Sequence, residues 1–392
     1  MAQSNSRAAR RAAEREERRD AQRTGAGSSA GARASAPTRT DGAGAARGSM
    51  ISPLADFLLV GGLSIIVMLP LLLSGRTDLV LIGAGVQAWI ATAINMPHFM
   101  ASYRLVYGSG AMIRQHKWAS IGVPLVLLVY IIATIVLVEW TQTMGVILVT
   151  VASLYLAWHY TGQVWGMMAS FAFLDGTGFD ATERRLVRTS LRILLAWHIA
   201  WFLYTQLRDP SRVAWVYQTA SVATVVAFAL GAYGLARMRQ RTGKTPPRLA
   251  ITAWLAIFVW YAVMARDPKA LFWVQIAHSI QYLAFPFRVE YNRAARVAGV
   301  SRDEEHGVSR RAVLHMALYA VVLLGVSVLV SQVVPNSLMG VIGTIYGESA
   351  GQAAPILILM FINIHHYFTD GVLWKISNPE VRKDLFAHVA RS

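Results

Sequence analysis

Residues 118–140 read WASIGVPLVLLVYIIATIVLVEW. The only charge among them is Glu139, and it stands at the far end. A run of about 20 apolar residues is longer than a soluble core needs. It matches the roughly 30 Å of hydrocarbon in a bilayer, at about 1.5 Å per helical residue. The stretch is read as a membrane span, and nine further blocks of the same kind lie at roughly 52–73, 79–101, 144–171, 187–207, 214–236, 249–265, 270–288, 312–334 and 352–374. The expected fold is all-α: a polytopic integral membrane helix bundle of about ten transmembrane helices. Residues 337–347 are apolar but too short to cross, and Gly340, Gly343 and Gly347 predict an interfacial or re-entrant turn there.

Composition agrees. Of 392 residues, 55% are apolar and only 15% charged, against about 25% charged in soluble domains. The net charge of +16 could suggest nucleic acid. Its arginines and lysines, however, lie in an N-terminal tail and in short loops between apolar blocks, which points to lipid headgroups and topology instead. The absence of cysteine removes disulfides, thiolate metal sites, iron–sulfur clusters and cysteine nucleophiles.

Two segments are distinguished, a tail at 1–50 and a transmembrane domain at 51–392. Residues 7–23 are mostly Ala, Arg and Glu without an apolar face, and 24–48 are mostly Gly, Ala, Ser and Thr. Such a segment cannot bury enough apolar area to offset its ordering entropy, so a disordered basic tail is expected. It has no apolar core of the kind a secretory signal needs.

The loops give an orientation. Those after the second, fourth, sixth and eighth spans carry, among others, Arg104, Arg114 and Lys117; Arg184, Arg185 and Arg188; Arg237, Arg239 and Arg241; and Arg293, Arg296 and Arg302. The alternate loops are short, and acids roughly balance their bases. The positive-inside rule then places both termini in the cytoplasm, and a multi-pass protein of the plasma (inner) membrane is expected. No loop is long enough for a catalytic domain. No phosphate-binding loop, nucleophile elbow or dinucleotide fingerprint occurs, so any chemistry belongs inside the bundle.

Polar residues within spans are costly and therefore informative. His98 lies in span two, His159 in span four, His198 in span five, His278 in span eight, and His365 and His366 in span ten. His278 precedes Arg288 by ten residues, His365 precedes Lys375 by ten, and His198 follows Arg188 by ten. At about 1.5 Å per residue each sits about 15 Å from the cytoplasmic boundary. Imidazoles stacked at one depth on separate helices suit a metal ion, iron above all, with zinc or copper as alternatives. His98, His159, His278, and His365 or His366 are the candidate ligands. Adjacent residues on a helix point about 100° apart, so one of the last pair is expected to face the centre. Neighbours four residues on are candidate supports: Gln163 for His159, Tyr282 for His278, and Asp370 for His366. Asp370 and Tyr282 are the candidate catalytic groups. The plainer reading is helix-to-helix hydrogen bonding, which fits His198 best because its neighbour four on is Phe202.

These islands resemble the bacterial carotene-cleaving dioxygenases, multi-span proteins in which histidines from separate helices hold one ferrous iron. The resemblance rests on His98 in Pro-His-Phe, His159 in Trp-His-Tyr and His278 in Ala-His-Ser, together with His365 or His366, and covers short stretches of the chain. That family tends to have His-x-x-x-His where this chain has His278 followed by Tyr282. The resemblance implies a non-haem iron oxygenase or dioxygenase acting on an apolar small molecule or lipid, with an electron donor as a partner if the reaction needs one, and no nucleic acid. A transporter or channel with a histidine proton relay, and a bis-histidine haem protein, are the alternative expectations.

Overall fold

The computed structural model describes residues 49–76, 82–298, 310–373 and 383–387, and every regular element among them is helical. The basic tail expected over 1–50 lies outside the described residues, save Ser49 and Met50. Ten long helices occur among the described residues, one for each expected span. They are α1 (Pro53–Ser74), α2 (84–107), α3 (Trp118–Val136), α4 (Thr141–Leu174), α5 (Ala181–Gln206), α6 (Ser211–Thr242), α7 (Arg248–Arg266), α8 (Leu271–Val297), α9 (Arg310–Tyr346) and α10 (Glu348–Leu373).

Eight of the ten are long and apolar enough to cross a membrane. The other two, α2 and α8, are long enough but carry Asn95, His98 and Arg104, and Gln275, His278, Gln281 and Glu290. The distribution of polarity is inverted relative to a soluble protein. Val129, Leu318 and Val225 are 66%, 61% and 71% exposed, while the histidines of α2, α4, α8 and α10 are buried. An apolar exterior, with polar side chains gathered within an otherwise apolar interior, is what a lipid solvent selects.

Three helices stay continuous through prolines by the same device. Widened π-turns at Ala91–Asn95, Trp118–Gly122 and Leu329–Val333 each end two residues before a proline, at Pro97, Pro124 and Pro335. Proline lacks the N–H and crowds the carbonyl four residues back, and a wider turn accommodates both. Residues 337–347 correct the sequence expectation: they are helical through Tyr346 and complete α9, which is longer than the predicted 312–334. The reversal comes at Gly347, at φ 95°, and α10 starts at once. The two helices then pack closely, since a Cβ on Gly351 would stand 2.7 Å from the Cα of Gly343. An apolar segment with small residues has more to gain by extending a packed helix than by breaking its backbone pairing in lipid.

The α5–α6 pair is tied at one end by charge. Asp180 caps α5 by accepting from Glu183 N at 2.7 Å, and Glu183 returns a bond from Asp180 N at 2.9 Å. Arg241 of α6 reaches both Glu183 carboxylate oxygens, at 2.7 and 2.8 Å, and the carbonyl of Gly178 at 2.6 Å.

Around the interior, α10 packs on α2, α3, α4 and α9, while α8 packs on α1, α2 and α9 and α7 on α1 and α4. At Gly61 the α1 backbone takes φ 143°, and a Cβ there would meet Ala256 of α7 at 2.6 Å. Gln281 of α8 donates to the carbonyl of Val60 beside this kink at 2.5 Å, and Gln163 of α4 donates to Gln281 Oε1 at 3.1 Å. This amide chain holds α4, α8 and α1 in register. His159 and His278 lie one turn from its two glutamines.

Candidate metal centre

His98, His159 and His366 are buried, and one ring nitrogen of each lies within 4.8 Å of those of the others. His278 joins them, with its Nε2 at 2.9 Å from Nε2 of His159. The ring centroids of His98 and His366 are 4.3 Å apart, those of His159 and His366 4.9 Å, and those of His98 and His278 5.2 Å. Four helices distant in sequence therefore bring four imidazoles into one small volume.

A hydrogen bond sets the tautomer of His98, and a nearby carboxylate favours that of His159. Nδ1 of His98 faces the carbonyl of Asn95 at 3.1 Å, and a carbonyl can only accept, so Nδ1 carries the proton and Nε2 the lone pair. Ser279 Oγ stands 3.2 Å from the same Nδ1 and donates to Asn95 Oδ1 at 2.7 Å, which holds the ring from a second helix. Nδ1 of His159 stands 3.3 Å from Asp370 Oδ2, a contact that favours the proton on Nδ1 and the lone pair on Nε2. A carboxylate behind a histidine is the usual way to orient a ligating imidazole.

The cluster fits a metal ion. Nε2 of His98, Nδ1 of His278 and both nitrogens of His366 are buried without a hydrogen-bond partner. Burying such groups unsatisfied is costly. Two nitrogens held about 2.1 Å from one ion lie about 3 Å apart at right angles and about 4 Å apart when opposed, so a bound ion would draw together nitrogens that here lie within 4.8 Å of one another. The 2.9 Å between His159 and His278 suits either two ligands of one ion or a direct hydrogen bond. An all-imidazole set with a carboxylate behind it suits iron, zinc or copper.

The supporting residues differ from the sequence expectation. Asp370 lies one turn from His366 on α10 but pairs with His159 of α4. Gln163 lies one turn from His159 but donates to the carbonyl of His278 at 3.2 Å and to Gln281. Tyr282 sets its ring edge-on to His98 at 4.8 Å and shares a short hydrogen bond with Ser102. In each case the side chain crosses to a neighbouring helix, a choice that spacing along one helix cannot express. Asn95, Ser279 and Gln281 were not anticipated, although each lies within three residues of a cluster histidine.

His365 lies outside the cluster. Its Nε2 meets Tyr107 Oη at 3.0 Å, and its ring stacks on Tyr103 at 4.8 Å. His198 also lies apart, with Nδ1 3.0 Å from Tyr261 Oη. The His159 and Asp370 side of the cluster opens on a cavity of about 670 Å³ along α4. Comparison with family models, curated proteins and solved structures gave no match, so the account of this centre stands on its geometry.

Proposed function

We propose that this chain is an integral membrane metal-dependent enzyme, a non-haem iron oxygenase of the dioxygenase kind acting on a lipid-soluble substrate. The observation that carries the proposal is the convergence of four buried imidazoles from four helices, with nitrogens of His98, His278 and His366 left without a hydrogen-bond partner. Iron bound there would supply the activation of dioxygen. The chain's own residues do the rest. His98, His159, His278 and His366 hold the ion, Asp370 keeps His159 in its ligating tautomer, and the Asn95–Ser279 pair does the same for His98. Trp158, Phe173 and Tyr367 help form the wall that admits an apolar chain and excludes water.

A porphyrin between two axial histidines needs a clear plane, and here the other two rings stand within about 5 Å and fill it. A dioxygenase also suits a chain with no loop long enough for a reductase domain. Both atoms of O₂ enter a carbon–carbon double bond, which breaks to give two carbonyls, and no outside electrons are used. The likeness of the histidine islands to carotene-cleaving dioxygenases is in keeping with that chemistry. In this proposal all ten long helices cross the plasma membrane, with both termini cytoplasmic, and the polar stretch of α2 around His98 and most of α8 are covered by neighbouring helices.

Metal analysis and an absorption spectrum of the purified full-length protein test the proposal. The expected result is stoichiometric iron without a Soret band, lost in His159→Ala and kept in His198→Ala. A Soret band would make it a haem protein. Folded protein that binds no metal under any loading condition would make the cluster a hydrogen-bonded relay.

A further inference from the structure

The cavity beside His159 and Asp370 runs along one face of α4 toward the start of α5. Its floor is Gly162, Gly166 and Ala169, spaced so that they share that face. A Cβ on Gly162 or Gly166 would meet nothing within 4 Å, so the groove is open above both. Gln163 also lines it, about nine-tenths buried, with Oε1 lacking a hydrogen-bond partner. At the far end stand Arg184 and Arg188, both exposed, and Arg188 lies over the ring of Trp165 at 5.9 Å. Neither arginine is in an ion pair among the described residues. The nearby acids Asp180 and Glu183 are engaged by Arg237 and Arg241.

One end of the groove is thus cationic, the middle is apolar and smooth, and the other end is the histidine cluster. At roughly 30 Å³ for a water-sized group, about 670 Å³ holds on the order of twenty such groups, enough for one acyl chain but not two. We propose that the groove binds a single-chain lipid with a carboxylate head, a long-chain fatty acid, with the head on Arg184 and Arg188 and the chain passing His159. Guanidinium pairs bind carboxylates with charge-assisted, often bidentate, hydrogen bonds. Trp165 is six residues from His159, about 9 Å along the helix. An internal carbon, several methylenes from the head, therefore stands at the cluster, and the methyl end continues past Trp158 toward lipid. Calling this lipid the substrate rests on the proposed function, whereas its binding does not.

The test is equilibrium binding of oleate and of oleyl alcohol to the full-length protein in nanodiscs, with metal content measured on the same samples. Oleate is expected to bind about tenfold or more tightly than the alcohol, and Arg184→Gln with Arg188→Gln to abolish that preference. Gly166→Leu directs a side chain into the groove from a position where its Cβ meets nothing within 4 Å, and is expected to abolish binding of both, with metal retained. Equal affinity for acid and alcohol, tighter binding of a lysophospholipid than of oleate, or binding unchanged in Gly166→Leu would overturn the proposal. Oleate binding without metal would sink the proposed centre and leave the groove, and metal without oleate binding would do the reverse.

Discussion

His365 and His366 are adjacent in sequence, yet a rotation of about 100° on α10 separates their surroundings completely. His366 enters the four-imidazole cluster, while His365 turns to Tyr103 and Tyr107 of α2. Asp370, one turn further on, reaches across to Nδ1 of His159. Replacing it by Asn keeps the shape and removes the charge, so the proposed centre should still assemble but hold its ion more weakly. The expected loss is about 10–100-fold in metal affinity, read by competition with a chelator. Affinity unchanged in Asp370→Asn would show that the carboxylate does not set the basicity of His159. Which histidines lie in spans was apparent from the residues alone, because an imidazole within an apolar run stands out. Which carboxylate serves which imidazole was not, since Asp370 and His159 are 211 positions apart and meet only once α4 and α10 pack.

At the scale of elements, the helices keep their continuity where local sequence would break it. Pro97, Pro124 and Pro335 are each preceded by a π-turn, and the first of these delivers His98 to the cluster on the turn that follows. The α5 cap shows the opposite case, a signal that is wholly local. Aspartate at the cap with glutamate three residues later forms a capping box, and Arg241 then locks it to α6. The N–H of Glu183 holds Asp180 below its ordinary value of 3.8, aided by Arg237 and Arg241 and opposed in part by desolvation. A carboxylate whose pKa is depressed on folding contributes stability above its unfolded pKa and loses it as pH falls through the folded value. Thermal stability in detergent should therefore fall as the pH is taken from about 5 to below 3.8. Asp180→Asn should flatten the part of that fall due to this cap. An identical pH profile in the variant would remove Asp180 from the acid response.

For the whole molecule, the exterior is apolar and the interior holds the polar side chains. The ten long helices among the described residues, even in number, fit the arginine-rich loops that follow every second one. The proposed topology predicts that a periplasm-dependent reporter is silent when fused after Ser392 and active when inserted in the short loop at Asp209. An active reporter after Ser392 would reverse the orientation or remove a span. The long helices whose polarity is hardest to reconcile with lipid, α2 and α8, contribute His98 and His278. Such helices can sit in a bilayer because their polar faces turn inward onto each other and onto α4 and α10.

The all-helical class and the rough positions of the long helices came from the sequence, because the cost of exposing backbone to hydrocarbon favours a helix in any run of about 20 apolar residues. That His98, His159, His278 and one of His365 and His366 would meet was expected from it too, although His198, counted to the same depth, lies apart. Azimuth and neighbour did not come from the sequence. Whether His365 or His366 faces the centre, that Gln163 serves α8, and that residues 337–347 continue α9 instead of turning back all depend on how helices rotate and pack. Those choices are made by contacts between helices, such as Gly61 against Ala256, far apart in the chain, and Gly343 against Gly351 across a single reversal. Only the folded bundle contains them.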